Sequence, residues 1–239
     1  MLFSCDNIHM HFGARPVLQG ISLGVQAGEV LGVVGPNGAG KTTLLEILSG
    51  RTKPTQGRVL FEGQDVTALP LHQRARRGLA RTYQSPVVPE QLSVEQVLKA
   101  ARQAFSPYLT SHHAQWSCDQ VGLTVNPAQM AGSLETLNRR KLLLACLLMR
   151  KSKVLLMDEP AAGLLGAEVD EIDLILRYMS QQMGVGIILV EHRLELMTAI
   201  AHRVVVLDGG QLIAEDKPHR VFDHPRVRAA YFETEQEAA

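Results

Sequence analysis

The chain has 239 residues, and its 24 Lys or Arg are balanced by 24 Asp or Glu, so the formal net charge is zero. Proteins that track a phosphate backbone carry a basic excess, so this balance gives no reason to expect nucleic acid as a partner. Cys5, Cys118 and Cys146 form no C-x-x-C pair, which sets aside a zinc site or a disulfide framework and suits a reducing cytoplasm.

In chain order, strands are predicted at 3–10, 17–25, 30–34 and 58–62, punctuated by turns at Gly13, Gly28 and Gly63. The 30–34 run, Val30-Leu31-Gly32-Val33-Val34, is apolar enough to be a strand buried on both faces. Thr43 to Leu48 has helical spacing and stops at Gly50. Arg74, Arg76, Arg77 and Arg81 form a basic cluster that reads as a solvated helix face with some packing duty, or else as an anion or lipid-headgroup site. After the strand-like Leu79-Ala80-Arg81-Thr82-Tyr83, the pattern turns helical from Ser85 to about Met149, interrupted by Pro86, Pro89, Pro107 and Pro127. The apolar run Leu142 to Met149 falls far short of the roughly 20 residues that a membrane span needs and reads as a buried helix. Beyond it, Val154–Met157, Ile187–Val190 and Val204–Leu207 read as buried strands. They are separated by a helix over 168–183 with apolar residues at Val169, Ile172, Ile175, Leu176 and Met179. Such alternation predicts a mostly parallel sheet covered by helices, in one large unit with a small inserted subdomain. The tail from Thr234 on is expected to fray.

The most specific motif is Gly35-Pro36-Asn37-Gly38-Ala39-Gly40-Lys41-Thr42, a full G-x-x-x-x-G-K-[ST] loop between a predicted strand and a helix opened by Thr43. Glycines let such a loop wrap its backbone N–H groups around an anionic phosphate chain at a helix end whose dipole favours negative charge. Lys41 is expected to reach the outer phosphates, and the Thr42 hydroxyl to ligate Mg²⁺. The chain is therefore expected to bind a nucleotide.

Other strand tips add to this loop. The 154–157 strand ends in Asp158-Glu159-Pro160, a carboxylate to hold the Mg²⁺ shell beside one able to accept a proton from an attacking water. The 187–190 strand ends in Glu191-His192, and an imidazole there can sense a γ-phosphate. Gln84 follows the strand at 79–83 and can orient both metal and water. Sites in open parallel sheets form at the carboxyl ends of strands, so these tips are expected to converge.

With these motifs in this order, the chain resembles the ATP-binding subunits of ABC transporters from about residue 3 to the end. The resemblance implies that Phe12, in His11-Phe12-Gly13, stacks on adenine. It also implies that Gln84 is the Q-loop glutamine, Glu159 the general base and His192 the switch histidine. The implied architecture is an α/β P-loop ATPase core (1–84 and 150–239) with helices on both faces of a mostly parallel sheet. An antiparallel β subdomain belongs to that core, and a helical subdomain (about 85–149) is inserted in it to grip a membrane subunit. Arg81-Thr82-Tyr83-Gln84, Asp158-Glu159-Pro160-Ala161-Ala162-Gly163-Leu164 and the tail around His224-Pro225 and Ala229-Ala230-Tyr231 are similar to the hydrophobic amino-acid and urea uptake branch. The segment Leu69 to Gly78 is similar to the lipopolysaccharide-export ATPase. The implied activity is ATP hydrolysis that energises a membrane importer of branched-chain amino acids, urea or amides. A lipid exporter and a non-transport ABC ATPase are the alternatives. The implied partners are transmembrane permease subunits, a second ATP-binding subunit and a separate solute receptor, on the cytoplasmic face of the cell membrane.

One motif departs from the family. Where Leu-Ser-Gly-Gly-Gln closes over the ATP of the other subunit, this chain has Leu134-Glu135-Thr136-Leu137-Asn138. Glu135 puts a carboxylate where a γ-phosphate must approach, and Leu137 replaces a glycine that permits close backbone contact. Leu165 likewise stands where the D-loop usually has Asp or Asn. The chain's own Walker site thus reads as complete and its offering to a partner's site as degraded, which favours a heterodimer with a subunit carrying an intact signature.

Overall fold

The computed structural model describes residues 1–104 and 107–232; the tail expected to fray lies outside the described residues. Strands β1 (Phe3–Phe12) and β2 (Arg15–Val25) form a hairpin around Gly13, which has φ +61°. Strand β3 (Val30–Val34) leads through the glycine-rich loop into α1 (Lys41–Ser49), which ends at left-handed Gly50. There follow β4 (Gln56–Phe61), β5 (Gln64–Asp65), α2 (Leu71–Arg76) and β6 (Leu79–Arg81). The stretch 85–149 carries α3 (Val94–Gln103), α4 (Ser111–Gln120), a 3-10 turn at Ala131–Ser133 and α5 (Thr136–Met149). Its described residues hold no strand beyond an isolated bridge between Ser93 and Met130. The chain then alternates through β7 (Val154–Asp158), α6 (Gly166–Gln181), β8 (Gly186–Val190), α7 (Leu194–Ile200), β9 (Arg203–Asp208) and β10 (Gln211–Asp216). It continues as α8 (Pro218–Val221) and α9 (Pro225–Phe232).

Two sheets result. One is antiparallel, in the order β2-β1-β4-β5; the other runs β10-β9-β3-β8-β7-β6, parallel throughout except at the β10 edge. Strands β3, β7 and β8 of the larger sheet are buried along their whole length, on both faces, which is why their sequences are continuously apolar. Leu156 and Ile188 point into the core shared with α1 and the antiparallel sheet, while Leu155 and Ile187 point into the core shared with α5 and α6. Each such side chain contributes about 1.5–3 kcal/mol by leaving water. The order β3-β8-β7-β6 sets the carboxyl ends of these four strands side by side, which brings the sequence-distant tips together. Among the described residues no helix is long and apolar enough to cross a membrane.

The basic cluster divides. Arg76 and Arg77 are exposed, but Arg74 is only 2% exposed and does not belong to a solvated face. Its guanidinium donates to the carbonyls of Ile47 and Leu48 at 2.8 Å each and to those of Leu69 and Thr67 at 3.0 Å. It thereby supplies donors to carbonyls in the last turn of α1, where Ile47 O also accepts from the capping Gly50 N–H at 3.1 Å. Burial pulls its pKa down to about 10, so it stays charged at neutral pH.

Candidate active site

The loop between β3 and α1 is shaped by its glycines. Gly40, the N-cap of α1, has φ +101°, a conformation that side chains other than glycine's resist. A side chain at Gly35 would collide with the Leu207 carbonyl. Ala39 turns its methyl into the core. The first turn of α1 holds no acidic residue, so its positive dipole end stays available to an anion. Lys41 is buried, and its Nζ donates to the carbonyls of Gly35 at 2.7 Å and Pro36 at 3.0 Å. Burial lowers its pKa, and the nearby Glu159 and Asp158 carboxylates push back upward.

The facing wall comes from β7, β8 and the loop after β6. Asp158 ends β7, buried, with an Arg81 nitrogen 3.9 Å from its carboxylate. Burial raises its pKa, the Arg81 charge opposes that rise, and Glu159 adds to it. Glu159 sits at φ +47°, and its N–H donates to Val190 O at 2.9 Å. Its Oε2 accepts from Gln84 Nε2 at 2.7 Å, and its Oε1 lies 3.0 Å from His192 Nε2. Gln84, Glu159 and His192 are thus one connected group, although they come from three separate strand tips.

Between the two walls lies a cavity of about 320 Å³, lined by Phe12, Asn37, Gly38, Gly40, Lys41, Thr42, Thr43, Glu159 and His192 together with Val17 and Val190. Phe12 is 55% exposed at its mouth rather than packed in the core. Five other residues expected at the site do not line the cavity. Gly35 and Pro36 hold Lys41 from behind, Ala39 packs inward, Gln84 holds Glu159, and Asp158 lies beside Arg81. A larger cavity, about 540 Å³, lies among the start of β1, α4 and the α6–β8 turn, and none of the expected residues lines it.

Sequence reasoning assigned no site role to several supporting residues. Val17 and Val190 belong to the cavity wall, and periodicity reads them only as strand residues. Glu191 is 3% exposed; its Oε1 accepts from Ala161 N at 2.8 Å and its Oε2 from the N–H groups of His192 and Arg193 at 3.0 and 3.3 Å. A buried carboxylate at a strand end satisfied by three backbone donors fixes how His192 is presented, and its adjacency to His192 was the available signal. Arg193 donates to Leu164 O at 2.8 Å.

Away from this cavity, Glu135 is the exposed N-cap of α5, whereas Leu134 and Leu137 are buried in the helical core. None of the 134–138 residues lines the 320 Å³ cavity. Leu165, the N-cap of α6, is 76% exposed.

A phosphate loop on the first parallel strand, facing acidic and histidine tips of its neighbours, defines a P-loop ATPase. The chain belongs to the ABC transporter family, which residues 18–162 match. It is 30% identical over 248 residues to the high-affinity branched-chain amino acid transport ATP-binding protein BraF of Pseudomonas aeruginosa, covering 96% of this chain and 97% of that protein. It is also 30% identical to the lipopolysaccharide export system ATP-binding protein LptB of Acidithiobacillus ferridurans, covering 96% of each. Among solved structures it is similar to an ATP-binding cassette of an ABC transporter in its ADP conformation. There the TM-score is 0.87 at 26% identity, with 96% of this chain and 98% of that one covered. The chain is an ABC ATP-binding subunit and an ATPase.

Proposed function

We propose that this subunit energises a membrane importer of branched-chain amino acids, urea or amides. The observation that carries its ATPase chemistry is the single cavity that gathers Phe12, Lys41, Thr42, Glu159 and His192. In this reading the Phe12 ring stacks on adenine and the loop N–H groups with Lys41 hold the phosphates. Lys41 exchanges its present carbonyl partners for phosphate oxygens. Glu159 takes the proton of the attacking water, and His192 and Gln84 keep that carboxylate and the γ-phosphate in line. Positioning and electrostatics supply most of the catalysis in this class. Thr42, Asp158 and Gln84 offer the hard oxygen donors that suit Mg²⁺, and the buried Asp158 carboxylate gains most from a cation; when bound, the ion would neutralise charge on the phosphates.

The importer assignment is supported by the likeness to BraF and to the LivG proteins of Escherichia coli and Salmonella typhimurium. Export of lipopolysaccharide or another lipid is the second reading, favoured by the equal identity to LptB. We read 85–149 as the subdomain that meets a transmembrane permease, with a separate receptor delivering solute and the subunit held at the cytoplasmic face of the membrane. Glu135 at the exposed end of α5 supports pairing with a different ATP-binding subunit. Affinity purification of the tagged chain from its native membranes tests the reading. Recovery of permeases, a second ATP-binding subunit and a receptor that binds amino acids or amides is expected. Recovery of a lipid-extracting complex would replace import by export.

A further inference from the structure

Arg140 lies one turn into α5, the helix whose N-cap is Glu135, and it is 6% exposed. Its Nη2 donates to two carbonyls on different loops, Ala162 O at 2.7 Å and Gln84 O at 3.0 Å. The first belongs to the turn that follows Glu159 and is closed by Ala162 N donating to Glu159 O at 3.0 Å. The second belongs to the residue whose side chain holds the Glu159 carboxylate. One planar guanidinium thus joins both supports of Glu159 to the helix that carries Glu135. Arg140 Nε and Thr82 Oγ1 are buried without partners among the described residues. Both residues line a space of about 10 Å³ whose other walls are mostly apolar, among them Leu143, Leu144, Met157 and Ile172. Both bonds to the carbonyls leave one nitrogen of a planar guanidinium, whose shape and reach a lysine ammonium on its flexible stem does not reproduce.

We propose that Arg140 is a positioning residue that couples the N-terminal end of α5 to the Gln84 and Glu159 loops, so that nucleotide occupancy at this chain's own site and the placement of Glu135 report on each other. The proposal rests on the reading of the Phe12–His192 cavity as the nucleotide site. Arg140 does not line that cavity; it acts through Gln84 and the turn after Glu159.

Hydrogen–deuterium exchange of the full chain, with and without a non-hydrolysable ATP analogue and Mg²⁺, tests both levels. In the wild type, nucleotide is expected to slow exchange at 35–43, and also at 82–86 and 134–139. Arg140→Met is expected to keep the response at 35–43 and lose it at 134–139, with Arg140→Lys partly restoring it. A merely structural role would shift the melting temperature and leave the nucleotide-induced difference at 134–139 in place. Should Arg140→Met not fold, Arg140→Lys carries the test, with a weakened response at 134–139 expected. A response at 35–43 with none at 134–139 in the wild type, or one that the variants leave unchanged, overturns the coupling alone. No response at 35–43 overturns the nucleotide-site reading and the coupling with it.

Discussion

The side-chain amide of Gln84 donates to the Glu159 carboxylate at 2.7 Å, across 75 residues of sequence and from the far side of the site relative to His192. Glu159 is therefore flanked by two nitrogen-bearing side chains. Any change to it is felt as a change of hydrogen-bond partners as well as a loss of charge.

Glu159→Gln is expected to bind ATP like the wild type and to lose hydrolysis by on the order of 10²–10⁴, the usual cost of removing a general base. The amide oxygen can still accept from Gln84, and its NH₂ can face His192 if that ring presents an acceptor nitrogen. Lys41→Ala should instead weaken nucleotide binding itself. Single-turnover hydrolysis beside equilibrium binding separates the two, and full turnover by Glu159→Gln in an assembly where the wild type is active would remove the assignment.

Phe12→Ala is expected to weaken ATP binding by roughly 1–3 kcal/mol, the worth of a base–aromatic stack, with Phe12→Tyr nearly neutral. Because Phe12 is more than half exposed, truncating it opens no core cavity. The melting temperature without nucleotide should hold. Calorimetric titration that finds equal affinity for Phe12→Ala and wild type would count against stacking.

The isolated chain is expected to bind ATP but to dimerise and hydrolyse it poorly, with Glu135→Ser, Leu137→Gly improving both. Two unit charges about 4 Å apart repel by about 4 kcal/mol at an effective dielectric of about 20, more than one ordinary hydrogen bond returns. Leu137 is buried, so its replacement also loosens the helical core, and the single Glu135→Ser variant isolates the charge effect. Sedimentation with ATP and a turnover assay measure both. Brisk wild-type hydrolysis with no gain in either variant would end the case for a mixed dimer.

Arg74→Met is expected to destabilise the fold by about 2–4 kcal/mol, since four carbonyls lose a charged donor. In a chain of this size that lowers Tm by on the order of 10 °C. Nucleotide affinity below the transition should stay within twofold, because Arg74 lies outside the cavity lining. An unchanged Tm by scanning calorimetry would show that water serves those carbonyls equally well.

What could be read from the sequence follows from how local each cause is. The phosphate loop writes its geometry within eight consecutive residues, from Gly35 to Thr42, and the buried strands announce themselves by unbroken apolar runs. Arg74 could not be placed because its acceptors at Ile47 and Leu48 lie more than 25 residues back, and nothing near Arg74 in sequence marks it as buried. The same holds for Arg140, which sits in a basic triplet with Arg139 and Lys141 but alone reaches the Gln84 and Ala162 carbonyls. Strand ends were also blurred: β1 runs on to Phe12 because it pairs with Arg15 across a tight turn, a cross-strand effect that hydropathy does not register.

The left-handed backbone at Glu159 has an evolutionary corollary. A non-glycine residue held at φ +47° costs the native state on the order of 1 kcal/mol or more, and glycine or asparagine would sit there at less cost. Selection for folded yield or heat resistance alone would therefore favour discarding this glutamate, and only selection that scores ATP turnover would retain it.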